Sequence, residues 1–345
     1  MFDEVISKIL DSVAEKQLSE NIFPKFSGDG YKAHKIDKNN FHDIQKSDSG
    51  VKIAFIDGGN AEIIGSANFS LNLIRVCCAI YKNNRKTEIK KFEVLAFINS
   101  FNEGGEIHYK CTFFNLGNGL NMDEIAFNSL DNTLMAGINR AEIGNVSNAI
   151  RRFYELMAAK YAADNKLAGI IVLDGNLQCT LTNESKHMKE LQNSCEINNV
   201  ILCALSKTSS LFTDNGDLLS AVLLRLSRTD SWFYHPIADI DSGSHKADMH
   251  FAKFNGNSRH VFRFEILKSQ KENAERAISE ISANSCDPIF LGYPYGLVEA
   301  DRIARVSNQE RESLKTMLLV KLRSRNIEKY LNAVNAHEIL DKISF

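Results

Sequence analysis

Residues 167–175, with the sequence LAGIIVLDG, indicate the fold class of this chain. The run is apolar throughout and then ends in Asp174 and Gly175. A strand that is apolar on both faces is typical of a parallel strand inside an α/β sheet, where helices cover both sides. A second such run, residues 200–205 (VILCAL), follows a polar segment with helical character, residues 182–194. Together these segments predict a strand–helix–strand unit with two parallel strands.

The part of the chain before this unit has the pattern of antiparallel strands. Residues 83–86 (NNRK) are a turn signal between two of them. The candidate strands are residues 51–56, 69–81, 88–98 and 106–114. Residues 115–145 are rich in Asn and Gly and fit either short helices or a long loop. Antiparallel strands followed by alternating helices and buried strands predict a mixed α/β sheet with flanking helices, as in the ribonuclease H-like arrangement.

Helices are predicted around this sheet. Apolar residues at helical spacing, from Val146 to Tyr161, predict a helix over residues 146–163. The other predicted elements are helices over residues 2–18, 271–282 and 298–335, the last broken near residues 325–326, a connecting segment over residues 24–50, and a hairpin of residues 249–254 and 260–266. The expected architecture is therefore an α/β core with an N-terminal helix and a C-terminal helical extension.

The composition limits what the chain can be. Of its 345 residues 44% are hydrophobic and 24% charged, as in ordinary globular proteins, and the formal net charge is −2. A nucleic-acid-binding surface must therefore be local, because there is no global positive field. Seven cysteines without a C-x-x-C pair favour reduced thiols in a cytoplasmic protein over disulfides or a zinc site. No apolar run approaches the roughly 20 residues of a membrane span, and the acidic start does not resemble a signal peptide.

Two of the predicted strands end in the same way. Residues 53–58 (IAFIDG) and 170–175 (IIVLDG) each place a carboxylate, Asp57 or Asp174, directly after an apolar run and before a glycine. If the strands are neighbours, both carboxylates lie at one edge of the sheet, where α/β proteins place their ligands. Two such carboxylates repel each other unless a cation lies between them, and oxygen ligands suit Mg²⁺ or Mn²⁺. The alternative is that each Asp-Gly pair is an ordinary turn.

Three blocks of the sequence resemble the NurA nuclease family. They are residues 53–59 (IAFIDGG), 172–177 (VLDGNL) and 292–300 (GYPYGLVEA), supported by residues 205–209 (LSKTS) and 152–155 (RFYE). The resemblance covers about residues 45–310 in the family's order. It implies a ribonuclease H-like nuclease domain over residues 49–310, between an N-terminal helix with its connecting segment (residues 1–48) and a C-terminal helical extension (residues 311–345).

The resemblance also implies an activity. NurA-like proteins are Mn²⁺-dependent deoxyribonucleases that hydrolyse DNA during end resection at double-strand breaks, chiefly in archaea. By this resemblance the chain would be a 5′–3′ exonuclease, with single-strand endonuclease activity left open, and would use two ions, with Mg²⁺ as the alternative to Mn²⁺. A homodimer and a HerA-type hexameric ATPase translocase would be its partners besides DNA, and no membrane would be involved.

The family pattern, placed on this sequence, implies a set of site residues. Asp57, Glu155 and Asp174 would be acidic metal ligands. Lys207 would contact the scissile phosphate or a neighbouring one, with an ordinary surface lysine as the alternative. Asp301 falls where the family usually has histidine; an aspartate can still bind the metal, but a proton-transfer role at this position is weakened. Glu155 lies opposite the apolar face of its helix, so it is either a ligand on an alanine-rich inner face or a solvated surface charge, with Glu142 as the alternative ligand.

Four residues are candidates for binding DNA. Arg259 and Arg263 lie among phenylalanines in the predicted hairpin, and Tyr293 and Tyr295 belong to the third family block. Bases stack on aromatic rings while cations contact phosphates. The alternative for the hairpin is that its rings belong to the core and its charges to solvent.

Two other functions compete with the nuclease. An ATP-binding phosphotransferase of the actin and sugar-kinase type also uses Asp-Gly turns on a ribonuclease H-like core, although residues 57–60 (DGGN) fit its phosphate loops only in part. The second alternative is a non-catalytic, DNA-binding or docking member of the nuclease family, which the departure at Asp301 makes conceivable.

Overall fold

The computed structural model describes residues 2–13, 21–45, 47, 49–66, 68–117, 119–227 and 229–322. Its strands are β1 (Pro24–Lys25), β2 (Tyr31–Ala33), β3 (Phe41–Asp43), β4 (Lys52–Ser66), β5 (Phe69–Lys82), β6 (Arg85–Glu103), β7 (Glu106–Leu116), β8 (Ile125–Asn128), β9 (Ile170–Asp174), β10 (Ile201–Ser206), β11 (Phe212–Thr213), β12 (Trp232–Tyr234), β13 (Ala238–Ile240), β14 (Ala247–Lys253) and β15 (Phe262–Leu267). Its α-helices are α1 (Phe2–Val13), α2 (Ile143–Asp164), α3 (Glu184–Ile197), α4 (Leu219–Leu226), α5 (Ala274–Ala283), α6 (Tyr295–Ala304) and α7 (Asn308–Leu322).

Eleven of the strands in the described residues form one sheet, in the order β3-β12-β14-β15-β10-β9-β4-β5-β6-β7-β8. β9 lies between β4 and β10 and is parallel to both. The other neighbours in this sheet are antiparallel. The predicted mixed sheet of ribonuclease H-like type, with two parallel strands after a set of antiparallel ones, is confirmed.

The apolar residues of β9 pack into the cores on both faces of the sheet. Ile171 and Leu173 belong to the core that α2 and α3 cover, whereas Ile170 and Val172 belong to the core on the opposite face, which α5 and α6 cover. Successive side chains of a strand point to opposite faces, so a strand between two helical layers is apolar at every position. The confirmed prediction therefore has a simple packing cause.

The prediction that the first Asp-Gly pair ends its strand is wrong. β4 does not stop at Ile56 but runs on to Ser66, paired with β5 along its whole length. Only its parallel pairing with β9 stops there, at Ile56 opposite Leu173. Asp57 is therefore in the middle of a long hairpin strand. Within the described residues, one side of this strand is unpaired from Asp57 onward because the parallel pairing with β9 ends at Ile56.

Other elements differ from the sequence in their bounds. The helix predicted over residues 298–335 is interrupted after Ala304, where α6 ends, and resumes at Asn308 as α7, whereas the break expected near residues 325–326 lies outside the described residues. The Asn- and Gly-rich segment contributes β8 and otherwise turns. None of the described helices combines the length and apolar character that crossing a bilayer needs.

Candidate functional site

Three aspartates from different elements converge on one ammonium group. Lys207 follows β10, and its Nζ lies 2.7 Å from Asp174 Oδ2, 3.7 Å from Asp57 Oδ2 and 3.7 Å from Asp301 Oδ1. Burial acts to lower the pKa of Lys207, but the hydrogen bond to Asp174 and the charges of the other two aspartates outweigh it and raise this pKa. The two Asp-Gly carboxylates thus face the same point, with Asp301 of α6 beside them.

The surroundings of Asp57 disfavour the ionised form of its carboxyl group. It is 5% exposed, and its Oδ1 accepts a hydrogen bond of 2.8 Å from the amide of Gly58. Its Oδ2 is buried and has no hydrogen-bond partner among the described residues. Burial, with the charges of Asp174 and Glu155, raises the pKa of Asp57 to about 8, although Lys207 acts in the opposite direction. Such a carboxyl is stabilised by any cation that enters beside it.

Glu155 approaches the same site from the opposite face of the sheet. It is 4% exposed and forms ion pairs with Arg151 and, at 3.4 Å, with Arg152, so it is not a solvated surface charge. Burial raises its pKa despite these two arginines. A Cβ at Gly58 would lie 2.7 Å from Glu155 Oε1, so this glycine is required for the close approach of α2. Glu142, the alternative ligand, is exposed just before α2 begins.

Tyr293 lies beneath the carboxylates rather than on the surface. Its ring is fully buried against Phe262 and Phe290, with centroid distances of 5.2 Å and 5.0 Å. Its hydroxyl donates a hydrogen bond of 3.2 Å to Asp174 Oδ1, and the Lys207 ammonium lies 5.8 Å from the ring centroid. The ring has no free face for a base, so the expected stacking role is corrected to one of holding Asp174.

The rest of the third family block lies around α6. Asp301 is half-buried and also pairs with Arg305 at 2.8 Å. Tyr295 begins α6 and is half-buried against Tyr81, while its hydroxyl lies 3.5 Å from Glu299. Within residues 292–300, therefore, Tyr293 contacts the carboxylate cluster and Tyr295 the adjoining core, while Asp301, directly after the block, also contacts the cluster.

Two arginines that sequence reasoning did not single out connect the site. Arg152 donates to Glu184 Oε1 (2.9 Å) and to the carbonyl of Asn176 (2.8 Å), which joins α2 to α3 and to the loop after Asp174. Arg151 donates to the carbonyl of Gly58 (3.2 Å). The sequence places both arginines beside Glu155, but their partners are remote along the chain, so their contacts have no local signal.

A cleft, called here the catalytic cleft, opens above these groups. Its volume is about 700 Å³, within the range of small-molecule sites. The residues that line it include Asp57, Glu155, Asp174, Arg151 and Lys207. Acidic and basic side chains therefore share one cavity, as binding of a metal together with an anionic substrate requires.

A second titratable cluster lies elsewhere on the sheet, and sequence reasoning missed it. His235, Asp248 and His250 offer ligand atoms that all lie within 4.8 Å of one another, a spacing that no other such group among the described residues attains. The Nε2 atoms of the two histidines lie 3.1 Å and 3.0 Å from Asp248 Oδ2. The spacing of Asp248 and His250, two residues apart on one strand face, was the only signal in the sequence.

The two candidate arginines of the hairpin have different surroundings. Arg259 is exposed in the loop between β14 and β15. Arg263 is half-buried in β15, where its Nε donates a hydrogen bond of 2.7 Å to Glu265. The hairpin phenylalanines Phe251, Phe262 and Phe264 are buried, which agrees with the interpretation that the rings belong to the core.

Comparisons with known proteins add the fold type. No protein-family model matches the sequence, and no curated protein matches it. Among solved structures, the chain is similar to the NurA nuclease from Sulfolobus solfataricus, with 15% identity and a TM-score of 0.51 over 83% of this chain and 89% of that one. The chain therefore has a NurA-like fold.

Two Endonuclease V structures also match the chain, both with TM-scores below 0.5. The catalytic domain of human Endonuclease V matches with 12% identity and a TM-score of 0.38, over 81% of this chain and 92% of that one. Endonuclease V of Ciona intestinalis, solved with a 24mer DNA, matches with 12% identity and a TM-score of 0.37, over 79% and 92% of the two chains.

Proposed function

We propose that this protein is a metal-dependent nuclease that hydrolyses phosphodiester bonds in DNA. The observation that carries the proposal is the convergence of Asp57, Asp174 and Asp301 on one cationic atom, together with a buried Asp57 oxygen that accepts no hydrogen bond from the described residues and has the Lys207 ammonium 3.7 Å away as its counter-charge. The NurA-like fold agrees with it. Metal ions held by such carboxylates would bind the phosphate oxygens of DNA and stabilise the charge that develops during phosphodiester hydrolysis.

The residues present fit a hard divalent ion. Asp57, Asp174, Asp301 and Glu155 supply only carboxylate oxygens, which Mg²⁺ and Mn²⁺ prefer over softer ligands. The Oδ2 of Asp57, which accepts no hydrogen bond from the described residues, and the raised pKa of this carboxyl support a cation site beside it. When bound there, such ions lower the pKa of an attacking water and stabilise the leaving oxygen.

The protein's own groups position the reactants. Tyr293 fixes one oxygen of Asp174, and Arg152 fixes the loop that follows it through the Asn176 carbonyl. Lys207 is 37% exposed and lines the catalytic cleft, so its ammonium is available to a phosphate oxygen. In the proposed complex Lys207 would contact a phosphate oxygen from its position beside Asp174 and offset part of the negative charge that the phosphate brings.

The finer assignments follow from the family resemblance and are part of the proposal. They are Mn²⁺ as the ion, two ions per site, 5′–3′ exonuclease action in end resection, a homodimer, and a HerA-type translocase as partner. Arg259 is the exposed residue of the hairpin that we assign to DNA contact outside the cleft.

Cleavage of labelled DNA by wild type, Asp57→Asn and Asp174→Asn tests the activity. We expect Mn²⁺-dependent cleavage that EDTA abolishes and that each substitution reduces at least about 100-fold, because loss of even an outer contact of a metal site costs roughly 10- to 100-fold. Asp123→Asn, at an exposed aspartate outside the catalytic cleft, is the matched control and should cleave as wild type does.

The competing functions give different results in the same preparation. Equal cleavage by wild type and both site variants would remove the metal-site assignment. ATP hydrolysis without DNA cleavage would favour the phosphotransferase, whereas DNA binding without either activity would indicate a non-catalytic member.

A further inference from the structure

We propose that a second cleft binds a nucleotide of single-stranded DNA next to the scissile phosphate. This proposal rests on the proposed nuclease function. This cleft, called here the stacking cleft, has a volume of about 500 Å³. The residues that line it include Lys25, Phe26, Tyr31, Gln178 and Arg263. It combines an aromatic surface with two cations, the pair of features by which proteins hold single strands.

The two clefts are adjacent. Gln178 lines both of them. Ser206 lines the catalytic cleft and is paired in register with Arg263, which lines the stacking cleft. β10 separates β15 from β9, which carries Asp174, so Arg263 and Asp174 lie two strand spacings apart, roughly 10 Å. A dinucleotide covers such a distance, so a strand whose phosphate lies at Asp174 can place a neighbouring base in the stacking cleft.

The aromatic surface is flat and preformed. The rings of Phe26 and Tyr31 are stacked, with their centroids 4.6 Å apart and an interplanar angle of 5°. Both residues are half-buried. Tyr31 also contacts the ring of His245, 5.8 Å away, so Phe26 supplies the outer face of the stack. A base stacked on that face needs no rearrangement of the pair.

A buried carboxylate fixes the stacking cleft relative to the catalytic one. The Tyr31 hydroxyl lies 2.8 Å from His245 Nδ1, and His245 Nε2 lies 3.1 Å from Glu265 Oε2. Glu265 also accepts hydrogen bonds from the amide of Leu177 (2.8 Å), in the loop after Asp174, and from Arg263 (2.7 Å). His245 and Glu265 are fully buried. One hydrogen-bonded network centred on Glu265 therefore links the Phe26–Tyr31 pair, Arg263 and the loop after Asp174.

Binding of fluorescein-labelled oligothymidylate in EDTA tests this subsite without cleavage. We expect Phe26→Ala to weaken binding about 10-fold, since stacking of a base contributes about 1–3 kcal/mol, and Phe26→Trp to restore it. Lys25→Gln should reduce the slope of log K against log salt by about 0.7, the value for one phosphate contact on a single strand. Phe114→Ala, at an exposed ring on β7 outside both clefts, is the matched control and should bind as wild type does.

A second arm uses oligothymidylates with one abasic position moved along the strand. At one position along the strand, the abasic site should weaken binding by wild type but not binding by Phe26→Ala, because only wild type has the ring on which the missing base would stack. Equal binding by wild type and Phe26→Ala, or equal losses for every abasic position in both, would overturn the subsite. Specific stacking without Mn²⁺-dependent cleavage would instead support the subsite and count against the nuclease, so the two failures are distinguishable.

Discussion

Two aspartates on the same sheet, the buried Asp57 and the half-buried Asp248, have opposite electrostatic surroundings. Asp57 has its pKa raised to about 8 by burial and by the charge of Asp174. Burial also acts to raise the pKa of Asp248, but the hydrogen bonds and charges of His235 and His250 outweigh it and hold this pKa well below its usual range. The chain itself supplies two close imidazole partners for Asp248, whereas the partners of Asp57 do not offset its burial and the neighbouring carboxylates.

This difference separates a structural cluster from a functional one. The tighter of the two groups, around Asp248, has its carboxylate already satisfied by two imidazoles. The looser group, around Asp57, costs free energy as it stands and gains most from a cation that arrives from outside. Perturbed carboxyls in a cleft are typical of functional sites, so we place the proposed ion by the lack of compensation at Asp57 rather than by the proximity of the ligand atoms around Asp248.

The largest expected consequence is a metal-dependent stabilisation that only one of the two aspartates controls. At a Mg²⁺ concentration of about 100 times Kd, wild type should gain about 2.7 kcal/mol in the free energy of unfolding, seen as a rise of several degrees in the thermal midpoint. Asp248→Asn should keep this rise and Asp57→Asn should lose it. Mg²⁺ is the sharper probe because imidazoles bind it poorly.

The opposite outcome would reverse the comparison. A midpoint that responds to Mg²⁺ in Asp57→Asn but not in Asp248→Asn would place the ion at the histidine cluster. Asp123→Asn, exposed and outside both groups, should respond as wild type does and controls for the loss of one negative charge.

The sequence predicted the part of the site that local pattern determines. Asp57 and Asp174 follow apolar strand segments, and strand neighbours follow from the order of elements, so their convergence was foreseeable. The depth of Glu155, the buried position of Tyr293 and the His235–Asp248 contact depend on how distant elements pack, and no periodicity of a single segment contains that information. The continuation of β4 past Asp57 was missed for the same reason, because it depends on pairing with β5.

The second expected effect concerns stability without metal. Asp248→Asn should lower the free energy of unfolding by about 2 kcal/mol, because it removes a charged acceptor from two partly buried contacts. Asp57→Asn should leave stability unchanged or raise it, since it removes an excess charge. Urea unfolding in EDTA measures both, and a larger loss for Asp57→Asn than for Asp248→Asn would contradict the contrast.

The smallest effect is a difference in pH dependence, again in EDTA. A carboxyl whose pKa is raised on folding contributes stability that is present below its unfolded pKa and is lost as the pH rises through its folded pKa, here about 8 for Asp57. For Asp248, with a lowered pKa, the contribution is present above its usual range and is lost only in acid. Between about pH 5 and pH 8, therefore, wild type should lose on the order of 1 kcal/mol relative to Asp57→Asn, after allowance for screening by Lys207 and solvent. Parallel curves for wild type and Asp57→Asn would mean that the chain already compensates Asp57, and the physical reason for placing the ion there would disappear.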